Sequence, residues 1–177
     1  MSDTSDLRLM TSARETGVAR FRRWGVVGVP LAAILFQVYV PRFFQVFQFL
    51  EMPLLVTVYF SLMRRDQIGG TFIGASIGLL QDSLSHQPLG MFGIVKTLVG
   101  YFAASVGMRI DVDHVVIRLL LAFFLYCFHQ FFYWVLARAL LAKTLGFDPQ
   151  RTLVMAALNA LVGVALYHFL DKLRETA

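Results

Sequence analysis

Apolar and polar positions follow one another in long blocks along this chain, without the residue-by-residue alternation of a half-buried strand. Six apolar runs are separated by short polar or charged segments. Runs that approach the roughly 20 residues of a transmembrane helix predict an all-α, polytopic membrane protein with about six spans. The predicted spans are residues 24–40, 47–63, 68–80, 89–108, 114–135 and 152–170.

The composition indicates that much of the protein surface contacts lipid. Hydrophobic residues make up 58% of the chain and charged residues 15%, whereas soluble domains average about 45–50% and about 25%. The 17 phenylalanines add more apolar area than a soluble core of this size could bury. The single cysteine, Cys127, excludes a disulfide framework and lacks the exposed, electropositive setting of a reactive thiol.

The chain is predicted to form one domain with two short tails. Residues 1–19 predict a mobile cytoplasmic tail, residues 20–171 a single transmembrane domain and residues 172–177 a second cytoplasmic tail. Arginines precede the first apolar run, as in a signal peptide, but no convincing small-residue cleavage site follows it. We therefore interpret this run as an uncleaved first span.

The third run, at 68–80, is shorter than the roughly 20 residues needed to cross a bilayer. It is either a full but thin crossing extended by residues 81–84, or a half-helix that re-enters on one side. Positive charge favours six crossings with both termini in the cytoplasm, because most of the 16 Lys and Arg residues then lie on the inner side. The outer segments hold Arg42, Arg138, Lys143 and Arg151.

The stretch 69–107 is predicted to be a tightly packed membrane hairpin around a polar turn at 81–88. Glycines recur on one face of each arm, where each costs an ordinary helix up to about 1 kcal/mol. They are Gly70, Gly74 and Gly78 in the first arm, and Gly93, Gly100 and Gly107 in the second. This pattern indicates that the two backbones approach closely, as in small-xxx-small packing. Pro88 is expected to begin the second helix at its first position.

Three ionisable residues near these spans need a physical explanation. A lysine at the centre of a membrane helix costs roughly 2.5–3.5 kcal/mol, so Lys96 either snorkels to the outer face, pairs with Asp82 across the hairpin, or contacts a ligand. Asp82 is either solvated or caps a helix end. Glu51, at the start of the second span, is expected at headgroup level in water, with contact to a protein partner as the alternative.

The remaining polar residues of the spans predict hydrogen bonds between helices, worth around 0.6 kcal/mol each. They are Gln37, His129, Gln130 and Asn159. The four histidines lack metal-ligand spacing, and no Walker loop, GxSxG or HExxH motif occurs. The sequence therefore predicts neither an enzyme nor a cofactor or metal site. The net charge of +5 indicates topology and anionic lipid, with no nucleic-acid partner.

Residues 74–102 resemble the hallmark region of the MreD family of rod shape-determining membrane proteins. The family pattern is a glycine-spaced span, then G-x-x-x-D, a short turn, P-x-G, and a second span that ends near G-Y. Here Gly78 to Asp82, Pro88 to Gly90, and Gly100 with Tyr101 match that pattern. The length, the basic N-terminus and the number of spans fit as well.

This resemblance implies a non-enzymatic scaffold of the cell-elongation machinery in the bacterial inner membrane. It implies binding to MreC, and through MreC a link between MreB filaments and a peptidoglycan glycosyltransferase and transpeptidase. The implied fold is similar to the substrate-binding subunits of energy-coupling-factor importers. An alternative function is therefore a vitamin-type importer subunit, with Lys96, Asp82 and Glu51 as ligand contacts.

The residues expected to pack the hairpin or meet a partner come from the two glycine-rich arms and from the Phe-rich fifth span. They are Gly70, Gly74, Gly78, Asp82, Pro88, Gly90, Gly93, Lys96, Gly100, Phe124, Phe128 and Phe131.

Overall fold

A computed structural model describes residues 23–85, 88–141, 146 and 148–172 of the chain. Within these residues the protein is all-α, as predicted, with six α-helices, one short 3-10 helix and no strand. The helices are α1 (Arg23–Phe43), α2 (Met52–Arg64), α3 (Gln67–Leu84), α4 (Met91–Gly107), α5 (Val115–Leu141) and α6 (Pro149–Asp171), and the 3-10 helix is Gln45–Phe49. Both predicted tails, apart from Lys172, lie outside the described residues.

Three of these helices are long and apolar enough to cross a membrane. They are α1 from Gly25, α5 as far as Leu140, and α6. Helices α2 and α4 are apolar but shorter, and α3 is one continuous helix of 18 residues, about 27 Å long. The third run therefore continues as a helix through residues 81–84. Its full crossing and the count of six crossings stay predictions.

Helix α2 lies at the centre of the bundle. The prediction that this helix begins at Phe47 was wrong: the aromatic segment forms the separate 3-10 helix, and α2 starts at Met52 with Pro53 in its first turn. Every residue from Pro53 to Met63 is buried. A helix that is apolar on all sides must be surrounded by other elements, and α2 packs against α4, α3 and α1 and also contacts α5 and α6.

Two amide side chains from other helices satisfy the first N–H groups of α2. The Asn159 Oδ1 atom of α6 accepts from the Glu51 N–H at 2.8 Å, and the Gln37 Oε1 atom of α1 accepts from the Met52 N–H at 3.1 Å. Asn159 also donates to the Phe49 carbonyl at 2.8 Å. The expectation of bonds to other elements is confirmed for Gln37 and Asn159, which satisfy groups that a helix start leaves unpaired. It was wrong for Gln130, which donates to the Tyr126 hydroxyl of its own helix.

Helices α3 and α4 form the predicted hairpin, and glycines line their contact. A Cβ atom added at Gly70, Gly74 or Gly78 would overlap the carbonyl group of Gly100, Lys96 or Phe92, respectively. Each step of four residues along α3 matches a step of four back along α4. The two backbones therefore touch over two full turns, with no side chain between them.

A second polar network fastens the end of the bundle at which α3 and α5 begin. Arg118 of α5 is buried, donates to the Val112 carbonyl at 2.7 Å and pairs with Asp171 of α6. The Tyr59 hydroxyl of α2 donates to the same carboxylate at 2.9 Å. Three helices are thus tied together around one buried guanidinium group.

Candidate functional site

Four polar side chains from four different helices meet inside the opposite end of the bundle. We call this end, where α2, α4 and α6 begin, the outer end, after the predicted topology. The four residues form the polar cluster: Glu51 at the start of α2, Gln81 of α3, Lys96 of α4 and His129 of α5. The Lys96, Gln81 and His129 side chains are buried, and the Glu51 side chain is 17% exposed.

Lys96 is held inside the protein. Its Nζ atom lies 3.9 Å from the Glu51 Oε2 atom, 3.5 Å from the His129 Nε2 atom and 4.4 Å from the centre of the Phe92 ring. The favoured expectation that Lys96 snorkels to the outer face was wrong, because the ammonium group finds a carboxylate, an imidazole and an aromatic face within the bundle. The ion pair expected with Asp82 is also not formed, since Glu51 is the partner.

Asp82 instead caps helix α4. Its carboxylate accepts hydrogen bonds from the backbone N–H groups of Gly90 at 2.9 Å, Phe92 at 3.0 Å and Gly93 at 3.0 Å. These are among the N–H groups that a helix start leaves unpaired, and the negative charge also suits the helix dipole. Of the two alternatives for Asp82, capping is the one that the structure shows.

The turn before α4 differs from the predicted one. Pro88 was expected at the first helical position, but α4 begins at Met91, after Gly90 in the left-handed region at φ 96°. A side chain is strained at that angle, which explains the glycine of the P-x-G motif. The bend points the Gly90 N–H at Asp82, so the G-x-x-x-D and P-x-G motifs meet in one contact.

His129 lies in an aromatic stack beside the lysine. The rings of Phe92, His129 and Tyr133 are nearly parallel, with Phe92 centred 6.1 Å from His129 and 5.2 Å from Tyr133. The Nδ1 atom of His129, the Oε1 atom of Gln81 and the Oε2 atom of Glu51 have no hydrogen-bond partner among the described residues. The two oxygens are acceptors, and the nearest ammonium group, that of Lys96, is 3.9 Å from the Glu51 oxygen, beyond hydrogen-bond length.

A cavity of about 290 Å³ opens beside the polar cluster at the outer end. It lies between the 3-10 helix and the facing ends of α5 and α6, and Glu51 is the member of the cluster that reaches its wall. The described lining residues are polar and aromatic. They are Gln48, Phe49, Glu51, Tyr126, Gln130, Tyr133, Trp134, Gly146, Asp148, Arg151, Thr152 and Met155.

The sequence candidates divide between the inside and the outside of the bundle. The glycines buried at the α3–α4 contact, whose faces are therefore occupied within the chain, are Gly70, Gly74, Gly78, Gly93 and Gly100. Gly107 was expected on the same face but packs against the Leu62 backbone of α2. Phe128 packs on Phe102 and Phe132. Phe124 and Phe131, seven residues apart on α5, are exposed and share a face with Val116 and Leu120, and we call these four side chains the α5 ridge.

Two features of the site escaped sequence reasoning. The pairing of Glu51 with Lys96 joins residues far apart in the chain, and the only signal was that each is costly alone. At the other end of the bundle, the pairing of Arg118 with Asp171 likewise joins distant residues and was not predicted. Among the described residues no three His, Cys, Asp or Glu side chains are placed to hold a metal ion.

Comparison with known proteins identifies the family of this chain. No curated protein and no solved structure matches the chain significantly. The family described as rod shape-determining protein MreD matches residues 20–176, which cover all six helices. Together with the capped glycine hairpin, this match shows that the chain is a membrane protein that belongs to the MreD family of rod shape-determining proteins.

Proposed function

We propose that this protein is a non-enzymatic scaffold of the cell-elongation machinery in the bacterial inner membrane, and that it binds MreC. Through MreC it would connect MreB filaments with a peptidoglycan glycosyltransferase and transpeptidase. The observation that carries the proposal is the family match over residues 20–176. The structure supports it with a rigid bundle whose polar groups are mostly used to hold helices together.

The α5 ridge is the proposed contact surface for the membrane helix of MreC. The glycine faces, which were the other candidates, are occupied by the α3–α4 contact and cannot also receive a partner. Phe124 and Phe131 present large apolar side chains outward, and in lipid such side chains bind through packing area and shape. Helix α5 is also the longest helix described, so it offers a partner the longest parallel surface.

Co-purification with MreC tests this surface. We expect the double variant Phe124→Ala/Phe131→Ala to fold normally but to retain less than about a tenth of the bound MreC, because two central aromatic contacts are removed. Phe169→Ala on α6 is the matched control, since Phe169 and Phe124 are both 64% exposed. If the double variant binds MreC like the control, the α5 ridge is not the interface.

The importer-subunit alternative receives no support from the family match, which describes a shape-determining protein. The likeness of the fold to energy-coupling-factor subunits stays a prediction, since no solved structure matches.

A further inference from the structure

The cavity at the outer end has a chemical character that the scaffold function does not use. Its volume of about 290 Å³ is at the small end of ligand pockets, which span roughly 300–1,000 Å³. Aromatic side chains form much of its wall, and the described lining residues include two acids, Glu51 and Asp148, and one base, Arg151. Aromatic faces together with carboxylates are the usual surroundings of a bound cationic group.

Glu51 is the member of the polar cluster that lines the cavity, and it indicates which kind of group could bind there. Its Oε2 atom is a buried acceptor without a hydrogen-bond donor among the described residues. Lys96 lies 3.9 Å from the Glu51 oxygen, which allows attraction but is beyond hydrogen-bond length. Because a carboxylate that is short of donors is costly to bury, a ligand with N–H groups that binds the cavity-facing side of Glu51 would add donors that the bundle does not supply.

The charges of the cavity favour a ligand with both signs. Lys96 lies behind Glu51 and balances its charge, while Arg151 is exposed at the start of α6. A simple cation would meet Arg151 unfavourably, whereas an ammonium group followed by a phosphate can place one charge near each partner. The cavity also lies where helices α2 and α6 begin and near Tyr133 and Trp134, side chains typical of the headgroup level of a membrane.

We infer that this cavity binds a primary ammonium group next to a phosphate, as in the headgroup of phosphatidylethanolamine. The ammonium group donates to the Glu51 carboxylate between the aromatic walls, and the phosphate lies toward Arg151. This site is independent of the proposed MreC surface on α5. The same chemistry is present in soluble O-phosphoethanolamine, so the test must separate the lipid from its free headgroup.

Fluorescence of Trp134 provides the measurement. The chain has two tryptophans, so Trp24→Phe leaves Trp134, on the cavity wall, as the single reporter. The full chain is reconstituted in phosphatidylglycerol nanodiscs that contain an increasing fraction of phosphatidylethanolamine or of phosphatidylcholine. We expect a saturable change with phosphatidylethanolamine and a response about tenfold weaker with phosphatidylcholine, whose methylated nitrogen cannot donate hydrogen bonds.

Variants assign the signal to the site. Glu51→Gln should weaken the phosphatidylethanolamine response by about tenfold or more, because it removes the charged acceptor. If Glu51→Gln leaves Lys96 unpaired and fails to fold, Glu51→Gln/Lys96→Met removes both charges and should show the same loss. The control Asp111→Asn changes an exposed acid on the connection between α4 and α5 and should bind like the parent protein.

Each outcome decides the inference. Competition by soluble O-phosphoethanolamine would show that the headgroup alone suffices, and a response to the lipid alone would identify the membrane as the source; both support an ammonium site. Equal responses to the two lipids, or parent-like binding by the double variant, would overturn it. No response to phosphatidylethanolamine would also overturn it, as expected if a partner's side chain fills the cavity.

Discussion

Lys96 and Glu51 are tolerated inside this bundle because each charge has a partner of opposite sign within the protein. Lys96 has no exposed surface, and its ammonium group is surrounded by Glu51, His129 and the Phe92 ring. Glu51 can hold its position because its backbone N–H is fixed by Asn159 of α6. The ion pair therefore depends on four helices, and it also restrains the positions of those helices.

The cost of separating Glu51 from Lys96 can be measured with single and double variants. We expect Glu51→Gln and Lys96→Met each to lower the free energy of unfolding by about 3 kcal/mol, because each leaves one buried charge without its partner. Glu51→Gln/Lys96→Met should recover most of that loss. Thermal unfolding in detergent is the measurement, with Lys172→Met at an exposed position as the control. Additive losses in the double variant would contradict the pairing.

The α3–α4 hairpin is packed by backbone contact, since its glycines place carbonyl groups of one helix directly against the other. The rest of the core is formed by apolar side chains from several helices. Asp82 then closes the open end of the hairpin by capping α4. The hairpin thus combines an extended contact with a lock at the turn, which makes it a rigid unit within the bundle.

Alanine substitution separates close packing from helix propensity. In a helix, Gly→Ala gains up to about 1 kcal/mol, and this gain is expected at Gly28 of α1, where a Cβ atom meets nothing within 4 Å. At Gly74 the same methyl group overlaps the Lys96 carbonyl, so we expect a net loss of at least about 1–3 kcal/mol. Melting temperatures of the two variants in detergent measure the difference. Equal stability would show that the hairpin can open at no cost.

The helices could be predicted from the sequence more accurately than the contacts between them. Glycine spacing and apolar runs are local signals, and they predict the hairpin and six helices, because periodicity reports directly on which face is packed. The start of α2 was misplaced, since the aromatic segment before Pro53 continues the apolar run while its backbone leaves the helix. The ion-pair alternative for Lys96 named the wrong partner because Asp82 is nearer in sequence, whereas Glu51 approaches only through the packing of α2 on α4.

At the scale of the whole molecule, the bundle has two polar ends and an apolar middle. The outer end holds the cavity and the polar cluster, and the other end holds the Arg118–Asp171 network. Exposed side chains between them are largely apolar, as lipid contact requires. This arrangement agrees with the predicted topology, in which the connections between helices alternate between the two sides of the membrane.

Cysteine labelling tests that topology. In a Cys127→Ser background, Asp111→Cys and Gly146→Cys place thiols at exposed positions on the connections before α5 and before α6. With an impermeant maleimide we expect Gly146→Cys to react in intact spheroplasts. Asp111→Cys should react only after permeabilisation, because the positive-inside rule places the connection before α5 in the cytoplasm. The same reactivity for both thiols in intact spheroplasts would rule out this orientation.

The burial of α2 has a consequence for biogenesis. With 13 residues this helix is about 20 Å long, which is too short to bridge a hydrocarbon layer of about 30 Å by itself. As the chain leaves the ribosome, we therefore expect α2 to depend on its neighbours to remain in the bilayer. We expect its stable insertion only after the later helices have packed around it, so that the protein matures as a late, collective assembly.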